Sequence, residues 1–310
     1  MRAALLLLIA PLILANTAED AAPTPDAPRK STVMIPENIR AVLDAALASG
    51  NESDVAVVVK YARVADPLSG DAVQAIADTW KADRAAQRTA VIRQARFLDL
   101  WTGKAEIGGY RTTGNSDTQG VTAILDLSRE GLRWRHKFHA QADSQRSLDV
   151  QTREHYVVAY EPNYKIDDRA YIYGAVQYES DRFLGYTDRF SLSSGAGYSV
   201  LKNPRTKLDL ELGPGYRRTA FTDDTEQSAL AARGSMNFSW RITNALSVTQ
   251  IASAYIQRFN STMTSNTALN AKLIGPLSAA LSYDVQYESE PPVGSVSTDT
   301  TSRASLVYSF

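Results

Sequence analysis

Arg303-Ala304-Ser305-Leu306-Val307-Tyr308-Ser309-Phe310 puts Ala304, Leu306, Tyr308 and Phe310 on one face of a strand, with Arg303, Ser305 and Ser309 on the other. A strand has a side-chain period of two, so this segment is apolar on one side and polar on its back. An exposed strand of this kind invites edge-to-edge aggregation. A closed transmembrane barrel removes the hazard, because the last strand pairs with the first and its apolar face meets lipid.

The same period extends upstream to Trp101. It predicts twelve antiparallel strands at 103–112, 118–129, 132–143, 152–165, 169–182, 188–200, 206–220, 226–242, 245–259, 265–274, 277–289 and 300–310. In the seventh, Leu208, Leu210, Leu212 and Tyr216 oppose Lys207, Asp209, Glu211 and Arg217. In the eighth, Leu230, Met236, Phe238 and Trp240 oppose Arg233, Ser235, Asn237 and Arg241. In the eleventh, Leu277, Leu281, Tyr283, Val285 and Tyr287 oppose Ser278, Ser282, Asp284, Gln286 and Glu288. Loss of phase near Gln250 predicts a bulge in the ninth strand, and Gly213-Pro214-Gly215 predicts a bend in the seventh.

Connector lengths orient the barrel. One end carries Glu130-Gly131, Asp167-Asp168, Lys202-Asn203-Pro204-Arg205, Thr243-Asn244-Ala245 and Gly275-Pro276, all of tight-turn composition. The other carries Ser144–Asp149, Phe183–Thr187, Phe221–Asp224, Asn260–Thr264 and Glu290–Asp299, which read as longer loops, beside a short first hairpin at Gly114-Asn115-Ser116-Asp117. Short periplasmic turns, longer outer loops and an even strand count are the marks of a bacterial outer-membrane barrel, with both mature termini periplasmic. Trp134, Trp240, Tyr164, Tyr198 and Tyr308 then form one aromatic girdle, and Tyr178 and Phe190 belong to the other.

The remaining composition narrows the class. With 33 basic and 34 acidic side chains, the chain lacks the basic surplus of a nucleic-acid binder. Mean hydropathy is −0.26, and no stretch after Ala15 approaches the roughly 20 apolar residues of a membrane helix. No cysteine is present, which removes disulfides and thiol catalysis. Residues 1–18 read as a signal peptide, with Arg2 before the apolar run Ala3–Ala15. Residues 19–35 are a Pro/Ala-rich linker. Residues 36–98 switch to helical spacing, with one helix through Ile39–Leu47 ended by Ser49-Gly50-Asn51. A second is expected over Asp54–Arg63, and a third after Pro67 through Val91. A periplasmic domain contacting a protein partner, a plug and a surface-lying segment are all open readings of this region.

Several segments resemble a bacterial outer-membrane family labelled salt-induced outer membrane proteins, domain of unknown function 481. They are Gly114-Asn115-Ser116, Trp134-Arg135-His136, Tyr178-Glu179 through Asp181-Arg182-Phe183 to Gly185-Tyr186, Gly195-Ala196-Gly197-Tyr198, and Leu210-Glu211-Leu212-Gly213-Pro214-Gly215-Tyr216-Arg217. The resemblance spans residues 101–310 in order. It implies an outer-membrane barrel, and its label implies a salt or stress response, but it supplies no reaction, ligand or site residue. Resemblance to other outer-membrane proteins also implies that Tyr308 and Phe310 serve as an assembly signal for the barrel-assembly machinery.

Function is therefore sought in the lumen. Strand phase points Arg133, Arg135, Lys137, Arg189, Lys207, Arg217, Arg233, Arg241, Lys272 and Arg303 inward, with Asp126, Glu179, Asp181, Asp209, Glu211, Asp284 and Glu288. Such charges either line a narrow, porin-like solute passage or pair into a filled interior, as in a structural envelope barrel. A lipid-acting enzyme is a remote third reading. It would need a serine activated by His136, His139 or His155, and none of the three lies near a recognisable nucleophile motif. His136 shares the lipid face with Trp134, while His139 and His155 point inward. No cofactor is called for. Gly185-Tyr186, the acidic loop Thr222–Glu226 and Pro291-Pro292 are candidate contacts for surface ligands, and the loop lacks calcium-site spacing.

Overall fold

The computed structural model describes residues 34–112, 118–147, 149–291 and 297–310. The expected signal peptide, nearly all of the linker, the Gly114–Asp117 hairpin and Pro292 lie outside them. The chain divides into two compact units, Met1–Ala86 and Gln87–Phe310.

The first unit is built from α1 (Glu37–Ser49), α2 (Glu52–Ala65) and most of α3 (Pro67–Gln94), which runs on into the second unit. Gly50 closes α1 in the left-handed region at φ 72°, a conformation open to a residue without Cβ. Asn51 then caps α2 by accepting the Ser53 N–H. Leu43, Val55, Val73 and Ala77 are fully buried together, and Ile39, Ile76 and Trp80 pack against them. No described helix is long and apolar enough to cross a membrane.

The second unit is a closed antiparallel barrel of β1 (Trp101–Thr112), β2 (Thr118–Glu130), β3 (Trp134–Ser147), β4 (Val150–Lys165), β5 (Ala170–Asp181), β6 (Tyr186–Lys202), β7 (Thr206–Phe221), β8 (Glu226–Arg241), β9 (Leu246–Gln257), β10 (Thr262–Lys272), β11 (Leu277–Glu288) and β12 (Thr298–Ser309). Each strand pairs with its sequence neighbours, and β12 returns to β1. The end where β1 begins and β12 finishes is the near end. The register keeps the predicted faces: Leu212 lies opposite Gly234 and Glu211 opposite Ser235. Outward side chains are apolar and bare, with Leu230 82 % and Leu212 69 % exposed, while Glu211 and Arg217 on the lumen side are buried. An apolar wall of this extent has no place in water and suits hydrocarbon.

Two local expectations change. The ninth strand pairs without a register shift at Gln250. Gln250 instead faces outward and donates to Ser265 Oγ at 2.7 Å while accepting from Thr267, so its polarity is satisfied within the wall. Register shifts fall at Gln145/Arg146, Glu179/Asp181, Tyr186/Asp188 and Ser199/Leu201. The Gly-Pro-Gly segment lies within β7, which pairs with β8 throughout. Its ladder to β6 lapses between Gly215 and Leu212, where Pro214 has no N–H to give. The other change is at the far end, where β3 and β4 extend to Ser147 and Val150, so most of the expected loop Ser144–Asp149 belongs to the β3 strand. The only far-end connector much longer than the near-end turns among the described strands is 289–297.

Candidate functional site

Alternation along β2 to β7 and β10 to β12 gathers a polar and charged belt inside the far half of the barrel. His155 on β4 lies between Asp143 Oδ2 and Glu179 Oε1, 3.3 Å from each. Glu179 also accepts the Tyr186 hydroxyl at 2.7 Å, and the Tyr186 ring lies 3.7 Å from the Arg189 guanidinium. Arg189 donates to Glu288 on β11 at 2.8 Å. Thr262 donates to Glu288 at 3.0 Å and accepts from Arg217 at 2.7 Å, and Arg217 also reaches Ser191 at 3.1 Å. On the other side, Arg303 donates to Thr122 at 2.9 Å and Asp143 at 3.1 Å, and pairs with Asp284. The belt thus touches nine strands and bridges the lumen.

A second cluster lies toward the near end. Lys137 contacts Glu161 at 2.7 Å and Glu211 at 3.6 Å. Arg233 lies 3.0 Å from Glu211 and 3.3 Å from Glu161. Ser235 and the Tyr171 hydroxyl also donate to Glu211, at 2.6 and 3.1 Å. Arg135 pairs with Glu130 at 2.9 Å beneath this group. At the near-end rim Lys207, Arg241 and Lys272 are exposed and form no ion pair among the described residues.

Most residues expected in the lumen take their place in these clusters. Asp126 contacts His139 at 2.7 Å, Asp209 accepts from Ser199 at 2.6 Å, and Asp181 caps the β5–β6 turn through the N–H groups of Phe183 and Leu184. Arg133 is a correction: it sits in the turn after β2, exposed, and reaches toward the outward Tyr164 hydroxyl at 3.5 Å. The turn breaks the alternation that placed it inside. Tyr186 is another, since it is fully buried in the belt and unavailable to a surface ligand. Sequence reading missed Asp143, Glu161, Thr122 and Thr262. Asp143 shares its strand phase with His139, and Glu161 lies directly opposite Lys137 on the next strand.

The ring partners of the histidines are Tyr160 for His136, Asp126 for His139, and Asp143 and Glu179 for His155, with no serine among the described contacts. His136 stacks outside the wall between Trp134 and Tyr160, with Phe97 against its edge at 5.4 Å. Arg129 holds that preceding segment by donating to the carbonyls of Asp99 and Arg96. In the acidic loop Asp223 accepts the N–H and hydroxyl of Thr225, which keep its carboxyl below the usual range. No metal-holding group of His, Asp or Glu occurs among the described residues.

A family model described as "Protein of unknown function, DUF481" matches residues 105–310. The uncharacterized protein YdiY of Escherichia coli (strain K12) is 26 % identical over 209 residues, covering 67 % of this chain and 82 % of its own. Among solved structures, the NanC porin overlaps with TM-score 0.43 at 13 % identity, covering 66 % of this chain and 98 % of its own. The COG4313 outer membrane channel of Pseudomonas putida F1 gives 0.43 at 8 % identity, with 70 % and 100 % covered.

Proposed function

The chain belongs to the DUF481 family of proteins of unknown function, and from that premise we propose that it is a bacterial outer-membrane barrel whose lumen is a blind cup, closed toward the far end and open at the near end to the periplasm. The burial of the belt carries this reading. Arg189 and Arg217 are 2 % exposed, Glu288 3 % and Glu179 5 %. A water-filled passage beside them would wet their charged heads. Arg189 on β6 also meets Glu288 on β11, almost across the barrel. These features favour a filled, structural envelope barrel over the narrow pore, at a strand number between the eight-stranded barrels that side chains fill and the sixteen-stranded porins that hold a channel. The outward apolar wall and its rim aromatics support the membrane setting, and the long 289–297 connector supports the orientation.

Planar-bilayer recording on the refolded full chain tests the proposal. The unaltered protein should give no steady conductance, and the pair Arg189→Ala with Glu288→Ala should open one. Steady conductance from the unaltered chain would overturn the closed-cup reading.

A further inference from the structure

We propose that the far half of the β1–β12 seam is a lateral site at which the anionic headgroup of a membrane amphiphile enters the barrel wall and meets Arg153 and Arg303. This rests on the reading that the barrel spans a bilayer.

The seam is half made. β1 and β12 pair from Lys104↔Ser309 to Gly108↔Ser305 and no further. Both strands nevertheless continue. β1 stays paired to β2 as far as Thr112↔Thr118, and β12 stays paired to β11 as far as Tyr287↔Thr298. Beyond Gly108 each strand is held by its other neighbour and neither is held by its seam partner. Lipid tails cannot satisfy the backbone N–H and C=O groups left along such an edge. Water or a polar headgroup can, and no ladder bond must break to admit either.

A notch of about 20 Å³ lies at this place. Gly109 and Val121 border it on the outward face, and Thr122, Asp143, Arg153 and Arg303 border it on the lumen face. Its lining thus draws on strand residues of both faces. As it stands it holds a water or two, by the usual measure of about 10–15 Å³ for one; a headgroup enters as the unladdered strands part. Gly109 carries no side chain over the notch; a Cβ there would stand 3.1 Å from the Gly120 carbonyl and 3.9 Å from Val121 Cγ2.

The charge behind the notch sets the ligand class. Arg303 is committed to Thr122, Asp143 and Asp284. Arg153 is not: its Nε is buried without a hydrogen-bond partner, and its Nη2 stands 4.0 Å from Asp143. An unspent guanidinium donor beside the unladdered seam suits one phosphate or carboxylate carried on an acyl chain. The exposed Ile107 and Val121 offer that chain an apolar wall.

Native mass spectrometry of the full chain from micelles tests this, with phosphatidylglycerol, oleate, phosphatidylcholine and inorganic phosphate supplied in turn. Phosphatidylglycerol or oleate should be retained over phosphatidylcholine, and the preferred one identifies the source. Arg153→Gln should lower that retention about tenfold, the scale of one charged hydrogen bond. Because the chain has no cysteine, Arg111→Cys with Ser302→Cys provides a seam staple at positions continued pairing would bring opposite. Oxidation should abolish retention and reduction restore it. Equal retention of both phospholipids, or indifference to Arg153→Gln and the staple, overturns the site. Competition by inorganic phosphate as strong as by phosphatidylglycerol also overturns it. Insertion into vesicles is scored separately: failure there sinks the membrane reading, and intact insertion without anionic preference sinks only the seam site.

Discussion

Gly103 and Phe310 exchange both backbone hydrogen bonds, the Gly103 N–H donating to the Phe310 carbonyl at 2.8 Å and the Phe310 N–H to the Gly103 carbonyl at 3.0 Å. The Phe310 ring covers the space a Cβ on Gly103 would occupy, with its nearest atom 2.8 Å from that point. This exchange starts the closing ladder at the near end, and the pairs that follow run only to Gly108↔Ser305. Closure thus depends heavily on its first few bonds.

Deleting Phe310 should lower the yield of folded barrel, measured as the fraction migrating fast on unheated gels. Phe310→Ala separates the causes. It keeps both backbone bonds, so near-normal yield would assign the loss to seam closure. A yield as low as the deletion's would assign it to the aromatic ring as an assembly signal.

Arg189 and Glu288 bury their charges against each other, with 3 % and 4 % of their side chains exposed. Removing one member leaves the other uncompensated, at a cost of about 3–5 kcal/mol. Arg189→Met alone should therefore shift the urea midpoint down strongly. Adding Glu288→Leu should recover much of the loss, and a strictly additive pair of effects would contradict the coupling.

At Gly213 a Cβ would lie 2.1 Å from the Ser194 carbonyl oxygen, and at Gly195 it would lie 2.2 Å from that of Leu212. Backbone cannot yield as a side-chain tip can. Gly213→Ala should reduce folded barrel sharply, whereas Gly234→Ala, whose nearest neighbours stand 3.9 Å away, should fold normally. Equal behaviour of the two on unheated gels would rule out the close β6–β7 approach.

Leu43 is fully buried in the helical core. Leu43→Ala should destabilise that unit by about 2–5 kcal/mol, seen as a lower midpoint for loss of the helical signal. The heat-induced gel shift of the barrel should not move, because the two units hold separate sets of internal contacts. A parallel shift of both would refute that independence.

The strand faces were legible because alternation is a local property. Leu208 to Tyr216 and Leu277 to Tyr287 state their own inside and outside. The lumen residues followed wherever a strand continued, which is why Arg189, Glu211 and Arg303 were found and Arg133, just beyond a strand end, was misplaced. The bulge expected at Gln250 failed for a related reason. A polar residue on the lipid face looks like lost phase until its partners Ser265 and Thr267 on the next strand are seen.

The sequence by itself determined a twelve-strand closed barrel with an apolar exterior, a charged interior and a separate helical segment. Each of these follows from side-chain periods of 2 and 3.6 that need no distant contact. Only the tertiary structure decided how the interior charges pair. Arg189 and Glu288 are 99 residues apart, and strand phase says that both point inward but not that they meet. Whether inward charges leave a passage or close it depends on the distance between opposite walls. That distance is set by strand stagger and closure of the whole sheet, and no single segment of the chain encodes it.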